Sequence, residues 1–326
     1  VSIDAVPDIT NVQVMINTEA PGYTPLEVEQ RVTYPIETTL AGLPGLEYTR
    51  SVSRYGLSQV TAIFSDDTDV YFARQLVSER LSGARSDLPM GLQPEMGPIA
   101  TGLGEIFMFT VDAEPGAVDA QGNSITPTDL RSVHDWIIRP QLRTVPNVAD
   151  VDAIGGFVKQ YHVLPNPAAL QGFDLTLQDV IAALERNNRS LGAGFVERHG
   201  EAALVRADGR LRGLADIEKV VLKEHNGTPV TINQVAEVTI GGELRQGSAS
   251  VDGREAVIGT AMMLSGANSR AVAVAAREQF EAVKQSLPPD VIARTVLDRS
   301  RLVHATIDTV AHNLFCGAAL VIAEGL

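Results

Sequence analysis

The sequence contains a single cysteine, Cys316, in 326 residues, which excludes an internal disulfide and any CxxC metal or redox motif. Basic side chains are also scarce. With 26 Lys and Arg against 40 Asp and Glu, the net charge is −14, which argues against a phosphate-backbone partner and fits a solvated acidic surface with attraction for cations. Nucleic acid is therefore not an expected partner. No GxSxG, HExxH, Walker loop, strand-borne GxGxxG or EF-hand loop is present, and no nucleophile–base pair stands out, so an enzyme is not expected. The apolar run from Leu314 to Ile322 is far shorter than the roughly 20 residues that cross a bilayer. The chain opens at Val1 without methionine, basic start or apolar signal core, and so reads as a fragment or processed product.

What is present is a repeat. Val12 to Asn17 alternates apolar and polar, Thr24-Pro25-Leu26-Glu27 starts a helix, Leu43-Pro44-Gly45-Leu46 stops it, and Leu57 to Phe64 alternates again. Thr24 caps free amides, Pro25 loses no hydrogen bond at the first helical position, and Glu27 lies where the helix dipole favours an anion. Thr126-Pro127-Thr128-Asp129 and Val145-Pro146-Asn147-Val148 repeat the start and the stop. Cap threonine and stop proline are 20 positions apart in both copies, 24 to 44 and 126 to 146.

Each copy extends to a second strand–helix–strand. In the first, strands at 47–54 and 57–64 are followed by a helix from Asp67-Asp69 to about Leu88 and a short strand near Glu95 to Ile99. The expected fold is α+β, a split βαβ or ferredoxin-like sandwich with helices on one face of the sheet. The second copy runs from Gly104 through the helix at 126–145 to a strand at 149–154 and is then interrupted. Its remaining strand, helix and strand (256–264, 268–286, 291–297) come about a hundred residues late. Gly155-Gly156 and Gly241-Gly242 bracket the interruption. The inserted α+β segment shows a strand at 158–164, a helix at 176–189, a glycine-bearing stretch at 190–200, a strand near 202–207, a helix around 214–223, and a tight Asn226-Gly227 turn before strands reaching Ile240. The expected divisions are 1–100, 101–155 with 243–299, the insert 156–242, and a terminal helix over 300–326.

One constellation of side chains suits cation chemistry. Asp150 and Asp152 alternate with Ala149, Val151 and Ala153, so both carboxylates can share the sheet face away from the helices, and Glu105 lies on a strand of the same unit. Either three carboxylates meet on that open face or they form a solvated acidic edge. Carboxylate oxygens suit zinc, cobalt and other divalent ions better than monovalent copper, which prefers sulfur. Met262 and Met263 point to opposite faces of a strand and do not make a thioether pair. The six histidines are scattered apart from a loose pair, His304 and His312, and each reads as a surface or capping residue.

Asp4-Ala5-Val6-Pro7-Asp8, Asn17-Thr18-Glu19-Ala20-Pro21-Gly22, Val28 to Glu37 (VEQRVTYPIE), Gly42 to Leu46 (GLPGL), Thr101 to Ile106 (TGLGEI) and Ile154-Gly155-Gly156 together resemble the heavy-metal efflux branch of the resistance-nodulation-division pumps, in particular the cobalt, zinc and cadmium exporters. The resemblance covers nearly all of the chain. It implies the first large periplasmic loop of an inner-membrane pump, with two N-terminal porter subdomains, the second carrying an inserted docking subdomain, and the truncated start of a second transmembrane helix from about Leu314. It further implies a homotrimer that works with a periplasmic adaptor and an outer-membrane channel, driven by the proton gradient, with no cofactor besides the transported divalent ion. Glu105, Asp150 and Asp152 then fall on strands that line the substrate cleft, and Glu105 stands where copper and silver members are expected to carry an aromatic residue. The alternative is a soluble periplasmic module, released by truncation, that binds metal or the adaptor.

Overall fold

The computed structural model describes residues 10–119, 122–198, 201–207, 209–225, 227–245 and 247–324. The lead-in, including Asp4 to Asp8, lies outside the described residues, as do His199, Gly200 and Asn226. The chain is α+β and separates into two compact units, one formed by 1–125, 133–154 and 249–326 and the other by 126–132 and 155–248.

In the first unit, β1 (Gln13–Glu19), β2 (Leu46–Arg54), β3 (Leu57–Phe64) and β4 (Pro94–Met96) form an antiparallel sheet in the order β2-β3-β1-β4. Val14, Ile16, Val60, Ala62 and Phe64 are buried against Val28, Val32, Ile36 and Leu40 of a helix over 25–40 and Ala73, Val77 and Leu81 of the helix Val70–Ala84. Then β5 (Glu105–Ala113), a helix over 127–142 and β6 (Val148–Ile154) begin the second sheet.

The second unit holds the ribbon of β7 (Lys159–Pro165), the helices Pro167–Gly172 and Leu177–Asn187, the hairpin of β8 (Leu191–Arg198) and β9 (Glu201–Ala207), and the helix Leu214–Glu218. It closes with β10 (Val221–His225), β11 (Thr228–Thr231), the turn of helix Ile232–Val235 and β12 (Ala236–Gly242), which pairs with β7. Within the glycine-bearing stretch, Leu191–Arg198 forms β8, paired with β9. One expectation is corrected here. The helix expected over 214–223 stops at Glu218, and Val221–His225 is instead a strand paired with β11, where β-branched Val220 and Val221 favour extended backbone.

The chain then returns to the first unit with β13 (Ala249–Val251), β14 (Arg254–Met263), the helix Ser269–Lys284, β15 (Val291–Asp298) and the helix Arg299–Glu324. β14 pairs with β5 on one side and, on the other, with β13 at its start and β6 further along, and β15 pairs with β5, so the five-stranded sheet has the main order β6-β14-β5-β15 with β13 added at the start of β14. Counted along each copy's own strands, both sheets have the order second, third, first, fourth, which is that of a split βαβ sandwich. Phe107, Phe109 and Phe280 fill the second core, with ring centroids 4.7–6.2 Å apart. Gly259 lies opposite Phe109, and a Cβ there would collide with the Phe109 ring. The core needs the missing side chain. Among the described residues, no helix is long and apolar enough to cross a membrane.

The repeated starts and stops have the same physical form. Thr24 pairs with Glu27, and Thr126 with Asp129, each threonine amide donating to the carboxylate at 2.9 Å. Thr176 and Asp179 repeat the box in the second unit. After each stop proline one residue takes the left-handed conformation, Gly45 at φ 75° and Asn147 at φ 65°, the residue types that tolerate it best. Each helix also contains a π turn, Glu29–Thr33 and His134–Ile138, ending two residues before an interior proline, Pro35 or Pro140. Proline has no N–H and its ring crowds the carbonyl one turn back. Widening the preceding turn relieves this.

The hydrogen bonds from the Thr24 backbone, and next from its hydroxyl, hold the Glu27 carboxyl below its ordinary value, and those from the Thr176 hydroxyl and backbone do the same for Asp179. A lowered folded-state pKa means that the contribution is present above the unfolded values, about 4.3 for Glu and 3.9 for Asp, and is lost as pH falls through the folded ones. NMR titration of the two carboxyl carbons should show both midpoints below those ordinary values. Thr24→Ala removes only the hydroxyl and keeps the backbone donor, so it should move the Glu27 midpoint part of the way back toward the ordinary value and leave Asp179 displaced.

Candidate functional site

The register of the second sheet places the three acidic residues. Met262 of β14 lies opposite Glu105 of β5 on one side and opposite Asp150 of β6 on the other, and Thr260 lies in the same way between Met108 and Asp152. Directly opposed residues share a face, so Glu105, Asp150 and Asp152 all lie on the face away from Phe107, Val151 and Ala261, which are fully buried. The backbone positions of Glu105 and Asp150 are nevertheless two strand spacings apart, about 9.5 Å, with Met262 between them. The three residues share a face without forming one cluster. Among the described residues, no group of three or more His, Cys, Asp or Glu is close enough to hold a metal ion.

Asp150 is partnered. Its carboxylate accepts from Arg139 Nη2 at 3.1 and 3.2 Å and lies 3.4 Å from Arg143 Nε, while Oδ1 also accepts the Val151 amide at 2.8 Å. Arg139 lies in the helix over 127–142, and Arg143 is the residue that caps its end. Asp152 and Glu105 are exposed.

Asp150 and Asp152 line a cleft of about 850 Å³ within the first unit, together with Asn17, Glu19, Glu95 and Met96. Asn17 and Glu95 are cross-strand partners on β1 and β4, and Glu19 ends β1. The cleft thus places carboxylates from the first sheet near those of the second, an arrangement that attracts cations by summed field even without a closed coordination shell. Sequence reasoning missed Glu19 and Glu95. The alternation of Asn17, Thr18 and Glu19 shows that Asn17 and Glu19 share a face, but nothing local shows that β4 pairs beside them or that β6 lies across a cleft from them.

His134 corrects another expectation. It is fully buried, stacks on Phe109 with centroids 5.7 Å apart, and places Nδ1 2.8 Å from Asp135 Oδ1. It is a core histidine at the start of a π turn. His312 is exposed, with Nε2 3.6 Å from the Cys316 sulfur one helical turn on.

A family model described as AcrB/AcrD/AcrF matches residues 1–323, and the chain belongs to that family. Within it, the chain is similar to proteins named for metal efflux and resistance. It is 56% identical over 320 residues to the cation efflux system protein CzcA of Alcaligenes sp. (strain CT14), covering 98% of this chain and 30% of the relative. The nickel and cobalt resistance protein CnrA of Cupriavidus metallidurans is 49% identical over 346 residues, covering 98% of this chain and 32% of the relative. The cation efflux system protein CusA of Escherichia coli (strain K12) is 40% identical over 314 residues, covering 96% and 29%. Among solved structures, a heavy metal efflux pump in its second crystal form superposes with a TM-score of 0.86 at 29% identity, covering 96% of this chain and 31% of that one. The chain thus spans about 30% of the length of the relatives it matches.

The two arginines on Asp150 should differ in weight. Arg139 is the less exposed and bonds both carboxylate oxygens, whereas Arg143 is 54% exposed. In urea unfolding, Arg139→Met should cost about 1–2 kcal/mol and Arg143→Met under about 0.5 kcal/mol. Equal losses would show that the pair does not anchor Asp150 as described.

Proposed function

We propose that this chain is the periplasmic porter and docking portion of a proton-driven efflux pump that exports divalent cations of the zinc, cobalt, cadmium and nickel class. In this reading the two sandwiches are the N-terminal porter subdomains, and the segment over 156–242 docks toward an outer-membrane channel. Residues from about Leu314 begin a membrane helix of an inner-membrane subunit whose periplasmic side this chain forms. The intact pump is a homotrimer that also engages a periplasmic adaptor.

The observation that carries the reading is the acidic lining of the cleft, with Asp150 and Asp152 on one wall and Glu19 and Glu95 among its other lining residues. Its support in kinship is that relatives named for cobalt, zinc and cadmium or for nickel and cobalt are 49–56% identical, whereas CusA is 40% identical. Carboxylate oxygens ligate divalent ions, zinc among them, and suit monovalent copper poorly because it prefers sulfur, of which the lining offers Met90 and Met96.

Chemically, a carboxylate half-site suits transport because it binds with moderate affinity and releases when protons take the same oxygens. Asp152 and Glu105 are exposed, Asp152 within the cleft and Glu105 on the same sheet face outside its lining. Asp150, already compensated by Arg139 and Arg143, gives up those partners before it can ligate a cation, so it acts as a ligand only in a state where the helix over 127–142 has moved. Alternating exposure and covering of this face binds and then frees the ion.

Glu105→Ala combined with Asp152→Ala, placed in the full-length pump, should abolish zinc and cobalt tolerance in cells while leaving the amount of pump in the membrane unchanged. Unaltered tolerance would remove these residues from the ion path. Calorimetric titration of the chain alone with cobalt should show weak binding that Glu105→Ala reduces, and such binding by itself is also what the released-module alternative requires.

A further inference from the structure

We propose that Asp298, Arg299 and Ser300 form a rigid joint that locks the helix Arg299–Glu324 to the turn preceding Glu105, so that the direction of this helix is transmitted to the start of β5. Four elements meet at these residues. The Asp298 carboxylate, 3% exposed, ends β15 and caps the helix: its Oδ1 accepts the Ser300 amide at 2.9 Å and the Ser300 hydroxyl at 2.6 Å. Its Oδ2 accepts from Arg277 Nη1 at 3.3 Å, on the helix Ser269–Lys284. Arg299 Nη1 donates to the carbonyl of Leu103, in the turn Gly102–Gly104, two residues before Glu105. Ser300 is fully buried.

A hinge absorbs rotation at a few residues whose backbone can turn freely. This junction has the opposite character. One buried carboxylate satisfies a first-turn amide, a hydroxyl and a guanidinium at once, and its charge favours the positive end of the helix dipole. Turning the helix relative to β15 leaves that carboxylate buried and short of partners, the costly outcome for a polar network. The receiving end is equally confined. A Cβ on Gly104 would sit 3.1 Å from the Met263 carbonyl, so the turn is seated on the end of β14 and follows it. A tilt of the helix therefore moves Arg299, the Leu103 carbonyl and the start of β5 together. The use of this joint in a transport cycle rests on the function proposed above; the joint itself does not.

The test is a distance measurement between nitroxide labels. Native Cys316 is the sole cysteine and is exposed, and Gly102→Cys adds a side chain where nothing lies within 4 Å. Double electron–electron resonance on this pair should give one narrow distance. Arg299→Met should broaden the distribution about twofold as the helix gains directions, and Arg299→Lys, which keeps a donor for the Leu103 carbonyl, should restore it. A second pair, Cys316 with Glu278→Cys on the neighbouring helix, should broaden with Asp298→Asn, which keeps a capping oxygen but loses the charge facing Arg277. Ser300→Ala, which removes one hydroxyl, replaces that variant if it does not fold. Distributions as narrow as those of the unmutated chain in Arg299→Met, or broad ones before any mutation, would overturn the joint. Loss of the transport reading through unaltered metal tolerance would leave the distance result standing.

Discussion

The second sandwich depends on the hydrogen bonding of β14 along both of its edges. This strand bonds β5 on one side and β6 on the other, yet it follows β6 in the chain only after the segment over 155–248. Without it, β5 and β6 share no neighbour, Glu105 and Asp150 have no common row, and the core around Phe107, Phe109 and Phe280 has no floor. Gly259 shows how closely the strand is fitted, since the Phe109 ring occupies the space of its absent side chain. Pairing of this kind is slow to find because the closing strand comes late.

Polar groups at the margins of this sheet are handled by pairing. Asp112 and Asp298, both nearly buried, meet Arg254 and Arg277, and Asp150 meets Arg139 and Arg143. Each buried charge is costly alone and tolerable with a partner. Asp150 differs from the other two in also lining a cleft, so its compensation by arginine competes with any cation that enters.

Much of this was legible locally. The Thr-Pro start and the Pro-Gly or Pro-Asn stop, repeated at equal spacing, announced a duplicated unit, because capping and left-handed turns depend on a few adjacent residues. The alternation around Asp150 and Asp152 announced their shared face for the same reason. The helix at 214–218 was read five residues too long because the fate of Val221–His225 depends on a partner elsewhere, β11, that propensity does not see. His134 was misread because helical spacing alone does not show which face meets Phe109.

Sequence by itself determined the composition of each element, the repeated helix starts and stops and the alternation that puts Asp150 and Asp152 on one face, all of which follow from local chemistry and order along the chain. Tertiary structure alone decided that Glu105 and Asp150 are separated by Met262, that Asp150 is held by two arginines, and that Glu19 and Glu95 line the cleft with Asp150 and Asp152. The reason is physical. Capping and strand alternation are fixed within a few residues, whereas strand order and cross-cleft proximity are set by hydrogen bonds and packing between segments tens to hundreds of residues apart.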